Sequence, residues 1–480
     1  MHSPSDTRWD ARTWGLLLVL CGAFFLDTLD VTMIGVALPS IGSALKLSTS
    51  DLQWVVSGYV LGYGGLLLLG GRTTDILGRR NVFLLATAVF AVGSILGGVA
   101  NDGTLLIATR FVKGVGAAFT VPAGLSLLTT TFPQGAARNR ALSIYAAFAA
   151  VGFSGGLVFG GLLTEVGWRW TFFVPGPLAA LLVVAGLRLI PREKASAAAG
   201  QSFDILGAIS ISAAMLVLVR TVVTAPGHGW SDAQTLAGFA IAALLLIAFV
   251  ALELVVRSPL VRLGILRSGP LVRANFGSAM LFGCYIAFQF IATLYFQSLL
   301  GWSALHTGLA FLPAGLMTFL IAPRVAGFVN RFGTAPVIAA GFVSFAVAMA
   351  LFLRIDETPT YAGTILPTLV LGGTGYAIAF PALNMQATDG IVDHEQGLAS
   401  GLLNTSFQIG GAIILAAITA IVTSKVGDSH DPHVVLDGYK PAIGVIAGLA
   451  AVAFLVALSG ASAHRRATAA AVPDTAESGS

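Results

Sequence analysis

Charge is scarce in this chain. Only 10% of its 480 residues are Asp, Glu, Lys or Arg, too few to solvate a soluble domain of this size. Cysteine is nearly absent: Cys21 and Cys284 fall in different apolar stretches, which argues against a disulfide framework and against a thiolate metal cluster. No nucleophile–base pair or His, Cys, Asp and Glu cluster stands at catalytic or metal-ligating spacing, which disfavours an enzyme or a metalloprotein. The net charge of +4 is small, and nothing groups the bases into a nucleic-acid-binding stripe.

Apolar length is what the chain has in abundance. Hydrophobic residues make up 56% of it. A membrane-crossing helix needs about 20 apolar residues. Fourteen stretches qualify: 14–38, 52–70, 82–100, 104–129, 140–163, 170–190, 205–223, 236–256, 273–299, 306–327, 336–353, 363–386, 397–422 and 440–460. The fold class is therefore an all-α polytopic membrane protein. The first stretch holds two acids and no small-residue cleavage site, so it is expected to remain as a helix.

Lys and Arg set the expected orientation. With both termini in the cytoplasm, 18 of the 26 basic residues lie on inner loops and tails and six on the outer side. Arg outnumbers Lys by 21 to 5 among abundant Ala and Gly, which suits a GC-rich bacterium, so the expected location is a bacterial plasma (inner) membrane.

Composition divides the chain. Residues 1–13 form a cytoplasmic tail and 14–190 a six-helix N-terminal bundle. Residues 191–272 hold two linkers around an inserted helix pair, and 273–460 form a second six-helix bundle. The Ala-, Ser- and Thr-rich tail 461–480 is expected to be disordered. A weak repeat relates the bundles: Gly71-Arg72-Thr73-Thr74-Asp75-Ile76-Leu77-Gly78-Arg79-Arg80 after the second span, and Val325 to Gly333 after the tenth. Repeated halves with a midplane site between them are a transporter architecture.

Four charges lie inside the spans: Asp27 and Asp30 in the first, Arg110 and Lys113 in the fourth. A carboxylate at mid-membrane costs roughly 2.5–3.5 kcal/mol on insertion scales, so such residues normally serve an ion path or proton relay. Each pair is spaced i,i+3 and so shares a helix face. At 1.5 Å per residue, Asp30 and Arg110 each lie about 12 Å below the outer end, and Asp27 and Lys113 about 16 Å. If the first and fourth spans are neighbours, Asp30 is expected to meet Arg110 and Asp27 to meet Lys113. An acid that loses its base in a low-dielectric site takes up a proton, which would link proton binding to conformation. Asp30 and Asp27 are thus the proton-coupling candidates, with Arg110 and Lys113 as buried partners.

The Gly71 to Arg80 segment resembles the signature loop of the major facilitator superfamily. Leu29-Asp30-Val31-Thr32-Met33-Ile34-Gly35-Val36-Ala37-Leu38-Pro39 resembles the first-helix motif of its fourteen-helix drug:proton antiporter branch, with Gly35 where the branch usually has Asn. Arg110-Phe111-Val112-Lys113-Gly114-Val115-Gly116 resembles the fourth-helix motif, with Lys113 for the usual Gln. Gly152-Phe153-Ser154-Gly155-Gly156-Leu157-Val158-Phe159-Gly160-Gly161 resembles the fifth-helix antiporter motif, with Gly156 for the usual Pro. Leu294 to Gln297 and Gly397 to Asn404 match as well.

The resemblance implies the major facilitator fold, two six-helix bundles plus two inserted helices. It implies a proton-coupled exporter of amphiphilic organic compounds such as antibiotics, working by alternating access. The alternative is a proton symporter that imports a small metabolite; a membrane sensor is disfavoured because no soluble domain would receive its signal. Asp30 holds the motif position and is the expected main proton-linked acid, with Asp27 the extra one. Gly71, Asp75, Gly78, Arg79 and Arg80 are implied as a conformational switch, and Gly152, Gly155, Gly156, Gly160 and Gly161, expected near one face of the fifth helix, as a close-packed hinge and seal. Cavity candidates are Phe24, Met33, Tyr59, Tyr63, Tyr145, Tyr285, Gln289, Tyr376 and Asn384, rings with a few polar tips. The expected partners are a small amphiphilic substrate, protons and the bilayer, with no nucleic acid. No cofactor or metal is expected, and the chain is expected to act as a monomer.

Overall fold

The structure is a computed structural model that describes residues 9–133, 136–192, 204–256, 263–392, 395–427, 429 and 431–470. Fourteen apolar helices are found among the described residues, thirteen of full span length and one shorter, Leu206–Val222. In chain order they are α1 Ala11–Leu45, α2 Thr49–Leu77, α3 Arg79–Gly98, α4 Gly103–Thr131, α5 Ala136–Val166 and α6 Trp170–Leu189. Then come α7 Ile205–His228, α8 Ala233–Val255, α9 Gly269–Leu299 and α10 Ala304–Phe332. The last four are α11 Thr334–Phe352, α12 Tyr361–Thr388, α13 Gln396–Val426 and α14 Pro432–Ala470.

Most helices outrun their apolar stretches because polar caps end them beyond the hydrophobic core. Asp10 accepts from Thr13 N, Asp102 from Leu105 N, Asp232 from Gln234 N and Ser303 from His306 N. Ser48 and Asp51 form a reciprocal capping box at the start of α2. Pro39, Pro122, Pro381 and Pro441 sit inside helices, tolerated where packed neighbours resatisfy the backbone. α14 continues to Ala470, ten residues into the tail expected to be disordered, since Ala-rich sequence is a strong helix former; residues 471–480 lie outside the described residues. The expected linkers and outermost tails fall mostly at 1–8, 193–203, 257–262 and 471–480, outside the described residues.

Helix pairing repeats between the halves. In the first bundle α1 packs on α5, α2 on α4, and α3 on α4 and α6. In the second, α9 packs on α13, α10 on α12, and α11 on α12 and α14. Two main seams join the bundles, α2 against α13 and α5 against α10, each the other's counterpart under the same repeat, and α1 also meets α9 across the joint. α7 packs on α2 and α13, covering one seam, and α8 packs chiefly on α7. The inserted pair therefore flanks the twofold arrangement without interrupting it.

Glycine sets how closely these helices approach. At Gly114 on α4 a side chain would collide with the Tyr59 carbonyl of α2, and at Gly70 on α2 with the Ala118 carbonyl of α4. The repeat's turns are tighter than the sequence suggests. α2 runs through to Leu77 and turns on Gly78 alone, at φ 84°, and α10 turns on Gly333 at φ 83°. Both positions lie in the left-handed region that favours glycine. Gly71 lies inside α2 with open space around it, so no close approach requires it.

Gly114→Val is expected to lower the detergent melting temperature, with an overpacking cost of about 1–3 kcal/mol. Gly71→Ala, in open space, is expected to leave it unchanged or raised. A fluorescence-monitored thermal melt of the purified protein compares the two.

Candidate functional site

The site is built on α1, the helix that α4, α5, α6 and α9 surround. Its mid-section carries two acids among apolar residues, and α1 keeps its threonine hydroxyls satisfied. Thr28 Oγ1 donates to the Phe24 and Phe25 carbonyls, and Thr32 Oγ1 reaches α5 at the Phe153 carbonyl, 2.9 Å.

Asp30 is fully buried, and two cations converge on it. Arg110 Nη1 meets one carboxylate oxygen and Lys113 Nζ the other. Arg110 and Lys113 are themselves 1% and 0% exposed. Arg110 Nε also donates to the Val55 carbonyl of α2 at 3.0 Å, and its guanidinium lies 4.6 Å from the Tyr59 ring centre. Lys113 Nζ lies 4.7 Å from the Phe90 ring and 5.0 Å from the Phe172 ring, so aromatic faces enclose the ammonium.

Asp27 is 4% exposed and accepts a hydrogen bond from the Tyr59 hydroxyl. The expected Asp27–Lys113 pair is not formed. Depth along a helix axis placed those two level. The lysine stem, however, is long enough to span the three-residue offset to Asp30, where Arg110 and Lys113 take one carboxylate oxygen each. Tyr59, which contributes no charge to a sequence count, fills the position expected for the lysine.

The fifth-helix glycines divide among three surroundings. Side chains at Gly152, Gly156 and Gly160 would collide with Thr28, Thr32 and the Met33 backbone of α1. Gly161 instead faces Ala304 and Leu305 of α10, and Gly155 meets only Phe159 of its own helix. Three glycines at i,i+4 spacing thus form the α1–α5 contact, which corrects the expectation that all five share one face; α5 is unbroken from Ala136 to Val166.

The cavity candidates separate likewise. Tyr59 and Tyr63 pack edge to face beside the charges. Phe24 stacks on Tyr145 at 4.6 Å. Tyr285 and Tyr376 lie 4.9 Å apart on the second bundle, and Phe153 of α5 approaches them at 5.3 and 5.4 Å, making an aromatic cluster across the seam. The cluster continues through Phe380, Phe407 and Phe282, which the sequence reading missed. Gln289 also crosses the seam, donating to the Thr32 carbonyl at 3.2 Å. Met33 is wholly buried, and Asn384 bonds its own helix at the Phe380 carbonyl, 2.8 Å.

Further seam bonds lie from mid-span toward the α1–α2 end: Gln297 Nε2 to the Val36 carbonyl at 2.8 Å, Ser154 Oγ to the Gly315 carbonyl at 3.3 Å, and Leu305 N to Glu165 at 3.1 Å. At the opposite end Arg80 caps α6, donating to the Leu187 and Ile190 carbonyls, both at 2.9 Å. The side chains of Arg72 and Asp75 lie outside the described residues. Among the described residues no His, Cys, Asp and Glu group could hold a metal.

Residues 20–415 match the family profile described as Major Facilitator Superfamily. The chain belongs to that superfamily. It is 35% identical to the puromycin resistance protein of Streptomyces alboniger, over 88% of this chain and 83% of that one. It is 34% identical to the cephamycin export protein of Amycolatopsis lactamdurans, over 92% and 91% of the two chains. The tetracenomycin C resistance and export protein of Streptomyces glaucescens is 30% identical over 89% and 79%. These relatives fall in the drug-export branch to which the motifs pointed. Among solved structures, the POT family transporter PepTSo superposes with a TM-score of 0.68 at 17% identity, covering 96% of this chain and 99% of that one. The nucleoside transporter NupG gives 0.63 at 14%, covering 93% and 98%. At such identities the likeness establishes the fold.

Family membership gives meaning to the motif departures. A side chain at Gly35 would press on the Gln289 amide, 2.6 Å from the Cβ position, so the missing Asn makes room for a residue of the other bundle. Lys113 adds a base, and Asp27 an acid, beside the Asp30–Arg110 pair.

Arg110→Ala is expected to cost about 3–5 kcal/mol, because it breaks a buried ion pair. Arg110→Lys, which keeps the charge but loses the Val55 bond, is expected to fall between. Melting temperature and yield of monodisperse protein after solubilisation check the order.

Proposed function

We propose that this protein is a proton-driven exporter of amphiphilic organic compounds, antibiotics among them, in the plasma membrane of a bacterium, with both termini cytoplasmic. The observation that carries the reading is the water-poor cluster of Asp27, Asp30, Arg110 and Lys113 at mid-span, in a chain whose relatives are named for antibiotic resistance and export. Two acids and two bases balance when all are ionised. One added proton unbalances them, and a conformation that relieves the imbalance is favoured.

Under this orientation the seam bonds at Val36, Gln289, Gln297 and Glu165 close the outer side. Gly152, Gly156 and Gly160 give α1 a smooth track on α5. Gly78 and Arg80 fix the inner turn, and Gly71, Asp75 and Arg79 belong to the same switch segment. Organic substrates meet the seam aromatics Tyr285, Tyr376 and Phe153. The balanced charge of the core favours neutral, zwitterionic or anionic compounds over multivalent cations. The protein works as a monomer and needs no cofactor, since a proton entering down about 100 mV supplies about 2.3 kcal/mol. That sustains roughly a 50-fold substrate gradient at 1.4 kcal/mol per decade.

Inside-out vesicles with an acidic interior test the reading. Amphiphilic antibiotics and dyes are expected to dissipate the pH gradient on addition, and vesicles lacking the protein to show no response. A gradient that resists every compound of a chemically mixed panel would refute proton-driven export. Proton uptake with substrate moving the same way would establish the symport alternative.

A further inference from the structure

Asp30 holds the motif position, yet its surroundings suit a fixed counter-ion. Both of its oxygens are taken by cations, and neither cation has a second acid within ion-pair distance among the described residues. To protonate Asp30 would leave two buried cations facing a neutral group. Asp27 stands differently. Its described hydrogen-bond partner is the Tyr59 hydroxyl, a neutral donor that can turn away.

Asp27 also borders a space that Asp30 does not. A small cavity inside the first bundle, with about 10 Å³ open to a water's centre, is lined by Asp27, Ala23, Thr87, Phe90, Ala117 and Thr120. That is room for about one water. Thr120 is 6% exposed, and its hydroxyl has no hydrogen-bond partner. A buried hydroxyl without a partner normally carries a cost, so an unused one beside a carboxylate marks a place for a polar visitor. The cavity lies between α1, α3, α4 and α6, away from the aromatic seam.

We propose that Asp27 carries the coupled proton, received through the Thr120 cavity, while Asp30 stays ionised throughout the cycle. The inference rests on the proton-driven reading above. The titratable and charged groups around Asp27 come from four helices. α1 supplies Asp30 and Cys21, α2 supplies Tyr59 and Tyr63, α4 supplies Arg110 and Lys113, and α5 supplies Tyr145. α3 and α6 bring only uncharged Thr87, Phe90 and Ala179 to the cavity.

The step is a single proton transfer. A hydronium at Thr120 gives its proton to an Asp27 oxygen, an O–H bond forms, and water remains. The cluster passes from balanced to one net positive charge, and the Tyr59 hydroxyl loses its charged acceptor. Tyr59 also lies against Arg110, and it precedes Val60, which approaches Gly411 of α13. Movement of Tyr59 therefore acts on the α2–α13 seam, so the occupancy of the proton site reaches the joint between the bundles. Proton and substrate enter by separate routes.

The test uses the full chain in proteoliposomes, with a substrate identified by the vesicle panel. The variants are Asp27→Asn, Thr120→Val and the charge-compensated pair Asp30→Asn with Lys113→Met. Infrared difference spectra between acid and neutral pH report the carboxylic-acid C=O band, and substrate accumulation under a pH gradient is measured alongside counterflow without one. The band is expected to vanish in Asp27→Asn and to persist in the double variant. Accumulation in Asp27→Asn is expected to fall to unity while counterflow continues, and Thr120→Val is expected to slow gradient-driven accumulation relative to counterflow. A band that persists in Asp27→Asn and vanishes in the double variant would overturn the assignment to Asp27. Unchanged accumulation in Thr120→Val would overturn the cavity as the route. A wild-type protein that shows counterflow but no gradient-driven accumulation would refute proton driving itself, a separate result.

Discussion

The packing of the first bundle depends on two cations meeting one carboxylate in the buried interior. Taking Arg110, Lys113 and Asp30 out of solvent costs several kcal/mol per ion, and only close geometry with further hydrogen bonds offsets it. The surrounding helices supply that geometry. α2 gives Arg110 a backbone carbonyl at Val55 and a ring face at Tyr59. α3 carries Gly93, where a side chain would press on the Lys113 stem, and Phe90, which faces its ammonium. Gly114 lets α4 come close enough to α2 for both contacts. Small residues beside long cations thus have one purpose: they let the charged side chains lie flat inside the bundle.

The two bundles share their helix pairing but not their chemistry. Among the described residues, the charged side chains buried in a six-helix bundle all belong to the first. The second offers rings and amides: Tyr285, Tyr376, Phe380, Phe407, Gln289 and Gln408. The seam is where they meet, through Phe153, Thr32 and Gly35 on one side and the aromatic cluster and Gln289 on the other. Such a division gives electrostatic work to one half and apolar contact to both, and α2, bonded to the charges and packed on α13, connects them. The inserted α7 rests on that same pair of helices and so adds packing to the joint.

Much of this was legible before any coordinates. Helix number followed from apolar length. The gathering of Asp27, Asp30, Arg110 and Lys113 followed from i,i+3 spacing and equal depth. What failed is equally specific. Asp27 was assigned the wrong partner because depth along an axis ignores the reach of a lysine and the presence of a neutral tyrosine. Gly155 and Gly161 were grouped with their neighbours because five glycines within ten residues look like one face until a partner helix selects every fourth. Phe153 and Phe380 went unnoticed, since an isolated phenylalanine in an apolar span carries no signal.

The sequence by itself determined that the chain crosses a membrane many times, that it is built of repeated halves and that buried charge lies at mid-span. These follow from solvent: lipid demands long apolar helices and makes any intramembrane charge conspicuous. Only the tertiary structure decided which acid is locked and which is left to a hydroxyl. It also decided which glycines touch a neighbour and where the two bundles meet. Those are matters of direction and reach between helices, and a linear pattern records spacing along one helix but not which side chain of another arrives there first.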